Sequence, residues 1–146
     1  MAGTQQTFAN DLLKLIFHGT TIANIAQNAA SSPITDFYIT LHTADPGETG
    51  NQASSETTYT GYARKIMNRS ATDWAITNDV VSPAATVSFA ACTGGSAQTI
   101  THIGIGTNGT TGAAGKLLFS GSISPSIIVQ NGVTPQLTVA STITFA

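Results

Sequence analysis

After Pro33 the sequence changes period, and this change limits the fold more than any other feature. Phe37, Ile39 and Leu41 alternate with Tyr38, Thr40 and His42. Successive side chains on a strand point to opposite faces, so the alternation predicts a half-buried strand. Similar short runs follow to the end of the chain: Tyr62–Arg69, Trp74–Thr77, Val80–Ser82, Ala85–Phe89, Thr99–Ile105, Lys116–Ser122, Ser126–Val129, Gln136–Val139 and Thr142–Phe145. They recur about every 8–12 residues with Gly, Pro or Asn between them, a spacing that belongs to sandwiches and barrels. Asn78-Asp79 predicts a two-residue hairpin turn. Ala44-Asp45-Pro46-Gly47 ends the first strand, and the polar, aperiodic segment Glu48–Thr60 reads as one long loop. Thr107–Gly115 is a second loop, made of Gly and Thr. No helical pattern alternates with the strands, which argues against a parallel α/β sheet. The expected fold is all-β, a single antiparallel β-sandwich of jelly-roll type.

Only the N-terminal segment departs from this pattern. Phe8, Leu12, Leu15 and Ile16 fall at i, i+4, i+7 and i+8, one face of a helix, and Leu13 and Phe17 widen the stripe. Thr4 or Thr7 is placed to cap its start and Gly19 to stop it, giving a helix over about 7–18. Ile22, Ile25 and Ala26 suit either a short helix or an ordered connector. The division expected is a helix and connector arm over 1–32 and a β-sandwich domain over 33–146.

Charge is unusually scarce. Asp, Glu, Lys and Arg make up 8% of the 146 residues, where about 25% is typical. Thr, Ser, Asn and Gly take their place. Disorder goes with low hydrophobicity and high net charge, whereas 41% of this chain is hydrophobic and its net charge is −2. So weak a charge, with five basic residues spread along the chain, offers no footprint for nucleic acid or an anionic membrane. No apolar run approaches the about 20 residues of a membrane helix. No basic cluster precedes the N-terminal apolar stretch, so a secretory signal peptide is not expected, and the sequons at Asn68 and Asn108 carry no weight. Cys92 is the single cysteine. It excludes an intrachain disulfide, suits synthesis in a reducing cytoplasm and reads as a small buried hydrophobe.

The motifs that carry chemistry elsewhere fail their structural tests here. Gly104-Ile105-Gly106-Thr107-Asn108-Gly109 matches GxGxxG, but that motif must open a helix to hold a pyrophosphate, and here a Gly/Thr loop and another strand follow. Gly104 and Gly106 read instead as sites of close backbone approach or a bulge. His18, His42 and His102 lack metal-ligand spacing and read as structural. Asp45 and Glu48 share a loop but fall far short of the roughly 6–8 oxygens of a good Ca²⁺ site. No nucleophile elbow or carboxylate pair is present. Tyr62 and Arg64 are expected on one strand face, where ring and guanidinium stack. No cofactor, metal, catalytic residue or small-molecule substrate is expected.

Several segments in order carry a resemblance: Asn10–Phe17, Leu41-His42-Thr43-Ala44-Asp45-Pro46-Gly47, Tyr59-Thr60-Gly61-Tyr62-Ala63-Arg64, Ile100–Ile105, Gly115–Gly121 and the ending Thr142–Ala146. Together they resemble a widespread family of small tailed-phage virion proteins, often called phage tail fiber proteins, over nearly the whole chain. In size and character the chain is also similar to capsid cement or decoration proteins. The resemblance implies a non-enzymatic component of the virion, made in the host bacterial cytoplasm. The leading expectation is a decoration protein that binds the major capsid protein between capsomers as a homo-oligomer. The alternative is a tail fibre or other tail component that binds a receptor or carbohydrate. The contact surfaces expected are the helix, through Phe8, Leu12, Leu15 and Ile16, and the long loop with its flank, through Glu48, Asn51, Glu56, Tyr59, Tyr62 and Arg64.

Overall fold

The computed structural model describes residues 5–22, 25–26 and 32–144. One helix, α1 (Gln6–His18), precedes nine strands: β1 (Asp36–His42), β2 (Lys65–Asn68), β3 (Trp74–Thr77), β4 (Val80–Pro83), β5 (Val87–Ser88), β6 (Gln98–Gly106), β7 (Leu117–Val129), β8 (Gln136–Leu137) and β9 (Ile143–Thr144). The sheets run in the orders β2-β1-β6-β7, β3-β4-β9 and β5-β8, and the pairings of β1 with β6, β6 with β7, β3 with β4 and β4 with β9 are antiparallel. Among the described residues the class is therefore the expected one, all-β with a single helix. Among the described residues no helix is long and apolar enough to cross a membrane. Contacts group the chain into two compact units, one of Met1–Thr35, Asn68–Val87 and Leu137–Ala146, the other of Asp36–Met67 and Ser88–Gln136.

In the first unit α1 packs on β3 and β4. Ala9, Leu13 and Phe17, spaced i, i+4 and i+8, are its buried residues. This corrects the stripe expected from the sequence. Phe8 is 39% exposed, and Leu12, Leu15 and Ile16 are only half-buried. Leu13 and Phe17, expected at the margin of the stripe, are its centre, and small Ala9 completes their row. Phe17 meets Trp74 edge-on with ring centroids 4.7 Å apart. The helix starts at Gln5 with no side-chain cap, so Thr7 does not serve there, and it ends at Gly19 in the left-handed region (φ 66°); Thr4, the other expected cap, lies outside the described residues. Its last carbonyls find a partner that the local sequence does not announce. Arg69 donates from Nε to Ile16 O (2.6 Å) and from Nη2 to Leu15 O (2.8 Å). A cation at this end also meets the negative pole of the helix dipole. The β3–β4 hairpin turns at Asn78 (φ 57°) with Thr77 facing Val80, as Asn-Asp predicts.

In the second unit β1 and β6 lie side by side, from Tyr38 opposite Gly106 to His42 opposite His102. Phe37, Ile39, Leu41, Ile100, Ile105 and Val129 are buried there. The two strands predicted over Lys116–Ser122 and Ser126–Val129 are one 13-residue strand, β7, whose register against β6 shifts between Ile100 and His102. Conversely, the strand predicted from Tyr62 begins only at Lys65. Gly61 at φ 100° and the turn hydrogen bond from Tyr62 N–H to Tyr59 O hold the preceding residues out of the sheet. Ile22 and Ala26 form an isolated antiparallel bridge. Phe145, the predicted end of the last strand, lies outside the described residues.

Burial ranks the helix residues. Leu13→Ala is expected to cost about 2–5 kcal/mol, the range for emptying a filled core site. Phe8→Ala is expected to cost far less. Urea denaturation of the two variants checks the order.

Candidate functional site

The polar chemistry of the second unit gathers where the 43–64 segment folds back on the sheet and meets the 107–116 loop. The long loop is not a free arm. Thr43 N–H donates to Ser55 O and Thr57 N–H to Leu41 O, so the loop returns along the end of β1, and His42 and Glu56 form a bridge. Gln52, fully buried, acts as a clamp. Its Oε1 accepts Asn108 N–H (2.8 Å) and its Nε2 donates to Asn108 O (3.1 Å). One amide side chain thus satisfies both main-chain groups of Asn108, as a neighbouring strand would.

The glycines of the GxGxxG run make room for this packing. A Cβ on Gly106 would lie 2.2 Å from Gln52 Cδ, and one on Gly109 2.5 Å from the Tyr38 ring. A Cβ on Gly104 would meet Leu117, Thr40 and His42 within 2.8 Å. Close approach, the reading given to Gly104 and Gly106 from the sequence, is what the structure shows.

The centre is the pair Glu56–Arg64, whose side chains are 4% and 0% exposed. Arg64 donates from Nε to Glu56 Oε1 (2.7 Å) and from Nη2 to Glu56 Oε2 (2.8 Å), a two-pronged contact. Its remaining donors reach Asn108 O (2.9 Å, from Nη1) and Ala113 O (2.8 Å, from Nη2). The Glu56 carboxylate also accepts Tyr62 O–H (2.9 Å) and Gly112 N–H (2.9 Å). Burial alone would raise the carboxyl pKa. The hydrogen bonds from Arg64, Gly112 and Tyr62 outweigh it and hold Glu56 below its usual range. Tyr62 O–H in turn accepts Leu41 N–H, and burial pushes its phenol far above the ordinary value. Tyr59, 3% exposed, donates to Ala90 O. Burial, then the neighbouring Cys92, pushes it up to about 12.

His42, fully buried, joins the same region. Its Nδ1 lies 2.8 Å from the Ser54 carbonyl, which can only accept, so Nδ1 carries the proton. Nε2 then accepts from the Thr40 hydroxyl at 2.7 Å. The ring is held neutral, and burial lowers its pKa below 6.5.

Of the contact residues expected from the sequence, Glu56, Tyr62 and Arg64 are brought together, and the Tyr59 ring lies 5.3 Å from that of Tyr62. They are joined inside the chain, which corrects their assignment to an outward surface: the Glu56 and Arg64 charges and the Tyr59 ring are buried. Tyr62 and Arg64 do not stack on a shared strand face but converge on one carboxylate. Glu48 and Asn51 stay exposed and apart from the network; Asn51 Oδ1 only accepts Ala53 N–H in a local turn. Asp45 does the same for Gly47 N–H. Phe8, Leu12, Leu15 and Ile16 belong to the other unit. The sequence reading missed Gln52, Asn108 and Gly112, and its one clue was the glycine spacing that makes Gln52 fit. Among the described residues no three His, Cys, Asp or Glu side chains are grouped to hold a metal ion.

A small antiparallel β protein whose buried ionic and amide groups fasten its own loops is built as a structural element. The chain belongs to the family described as Podophage GP4 fiber I protein gp80, whose model matches residues 3–144. It is a phage structural protein and a component of the virion. No curated protein sequence matches it.

Removing one partner of a buried ion pair leaves the other uncompensated, so Glu56→Ala is expected to lower stability by about 3–5 kcal/mol. The pH response has a definite sign. Glu56 and His42 both have folded pKa values below their unfolded ones, so at low pH the unfolded chain binds more protons. Between pH 6.5 and 8 both contributions are therefore fully present; the first is lost as pH falls from 6.5 through the lowered pKa of His42, the second as pH falls from 4.5 through the lowered pKa of Glu56. Melting curves from pH 8 to 4 check this, and His42→Asn should flatten the upper step alone.

Proposed function

We propose that this protein is a non-enzymatic subunit of a phage fibre, assembled as a homo-oligomer and acting without cofactor, nucleic acid, membrane or small-molecule substrate. The family match over residues 3–144 carries the reading. The site supports it. The charged and amide groups of the network are bonded within the chain, so the network stiffens the two loops it joins. A stiff unit loses less freedom on assembly than a floppy one.

Carbohydrate recognition by an aromatic platform has less support, because none of the Trp and Tyr side chains is exposed: Trp74 and Tyr59 are buried, and Tyr38 and Tyr62 are half-buried. A second reading, capsid decoration with the major capsid protein as partner, draws on the low charge. Hydroxyl-rich surface is cheaper to desolvate than ions, and a protein that binds only the assembled shell stabilises it by mass action. The long loop expected as a contact surface for that role is, however, bonded to its own sheet.

Gold-labelled antibody against the protein, viewed on purified particles, separates the two. Label on fibres, together with loss of adsorption but intact heads in particles lacking the protein, is the expected result. Label over the head shell, with DNA released at lower temperature when the protein is missing, would overturn the fibre reading in favour of decoration.

A further inference from the structure

The two edges of the four-stranded sheet are unlike. At one edge β2 is four residues long and carries Lys65. Short length and an edge lysine are the ordinary protections against unwanted strand pairing. At the other edge β7 is 13 residues long. It contains no charged residue, and none follows Lys116 anywhere in the chain. Ser120, Gly121 and Ser122 are exposed in its first half. The second half is interrupted, since Ile123–Ser126 face Thr101 alone between the pairs His102–Ser122 and Ile100–Ile127. The regular part of the edge, where each residue faces one partner on β6, is thus Phe119–Ser122, bounded on its other side by a second register shift between Ile105 and Gly106.

Gly121 marks this stretch. Glycine weakens a strand by about 0.5–1 kcal/mol relative to alanine, so a strand glycine needs a reason. Gly104 and Gly106 have theirs in the packing of Thr40, His42 and Gln52. Gly121 has none among the described residues. Its φ lies outside the left-handed region, and a Cβ built on it meets nothing within 4 Å. A strand glycine often marks the close approach of another backbone, and here that approach must come from outside.

The sequence around Gly121 says what approaches. Phe119-Ser120-Gly121-Ser122-Ile123 reads the same in kind from either end: apolar, Ser, Gly, Ser, apolar. We propose that β7 pairs antiparallel with β7 of a second copy of this chain, about a two-fold axis through Gly121. Gly121 then faces its own copy, Ser120 faces Ser122, and Phe119 faces Ile123. Phe119, Gly121 and Ile123 share one face of the strand and the serines the other. The two half-buried apolar residues therefore cover each other across the axis, and the hydroxyls pair with hydroxyls. No like charges meet, which a self-pairing edge requires. The contact is isologous and closed, and it joins two four-stranded sheets into one continuous sheet.

Sedimentation equilibrium of the purified full chain tests the pairing. The wild type is expected to be a dimer or a multiple of one. Gly121→Lys sets two ammonium groups face to face on the axis, and since the position is open within the chain, the fold should survive, as circular dichroism and an unchanged melting curve would show. The dimer should be lost in this variant and kept in Thr77→Lys, at an exposed site on β3. Facing residues of an antiparallel pair lie about 4.5–5.5 Å apart at Cα, within disulfide range. Gly121→Cys should therefore cross-link copies on mild oxidation, while Ser126→Cys should not; Cys92 is buried and does not compete. A monomeric wild type at high concentration, or a dimer that withstands Gly121→Lys, overturns the proposal. Either result leaves the fibre reading to the particle labelling, which does not depend on this edge.

Discussion

The second unit depends on one contact, the two-pronged bond between Arg64 and Glu56. Both ions are out of water, a cost that attraction alone repays only when the remaining donors and acceptors are also bonded. Here Arg64 spends its other N–H groups on the carbonyls of Asn108 and Ala113, and Glu56 takes Gly112 N–H and Tyr62 O–H. The pair is tolerated in the interior because four of the five guanidinium N–H groups and both carboxylate oxygens are bonded. Its reach also explains its place. Glu56 and Arg64 sit on one loop, and Asn108, Gly112 and Ala113, whose main-chain groups they bind, sit on another, so the pair joins two stretches of chain that have no strand ladder between them.

Gln52 and the glycines act on the same junction. The 107–116 loop has no large apolar side chain to bury, so it cannot be held by the hydrophobic effect. It is held by directional bonds instead: Gln52 on Asn108, Gln52 N–H on Gly115 O, Thr107 N–H on Lys116 O, and the ion pair on Asn108, Gly112 and Ala113. Such bonds need short distances, and short distances need missing side chains. That is why glycine stands at 106, 109 and 115, where a Cβ would meet Gln52 or Tyr38 at 2.5 Å or less.

The readable parts of the sequence were those governed by local periodicity and turn chemistry. Trp74–Thr77, Asn78-Asp79 and Val80 form the hairpin they spell, and Phe37–Leu41 lies in a strand with its odd residues buried, although Thr40 and His42 on the face expected to be open are buried as well. The helix was readable, but its facing was off by one residue, because Ala9 carries too little hydrophobic signal to be seen beside Phe8. Tyr62–Arg64 misled by alternating like a strand; what decides their conformation is a carboxylate six and eight residues earlier and a loop more than forty residues later. Arg69 on the carbonyls of α1 is hidden for the same reason, with 53 residues between donor and acceptor at Ile16. Partners this far apart leave no period to detect. Glycines fare better, since an unexplained glycine at least announces that something comes close.

The scarce charges then take on a sharper meaning. Two of the five basic residues, Arg64 and Arg69, are committed to main-chain carbonyls of the same chain. Among the acids, Glu56, Asp45 and Asp73 accept main-chain N–H groups. Ions serve here as internal fasteners, and the surface they leave behind is more nearly neutral than the composition already suggests. Long-range steering of a charged partner is weak for such a surface. What it offers instead is area made of hydroxyls, glycine and small apolar groups, which can be covered without stripping water from ions. That economy matters most in a protein present in many copies side by side, where any repeated like charge would be multiplied along the assembly.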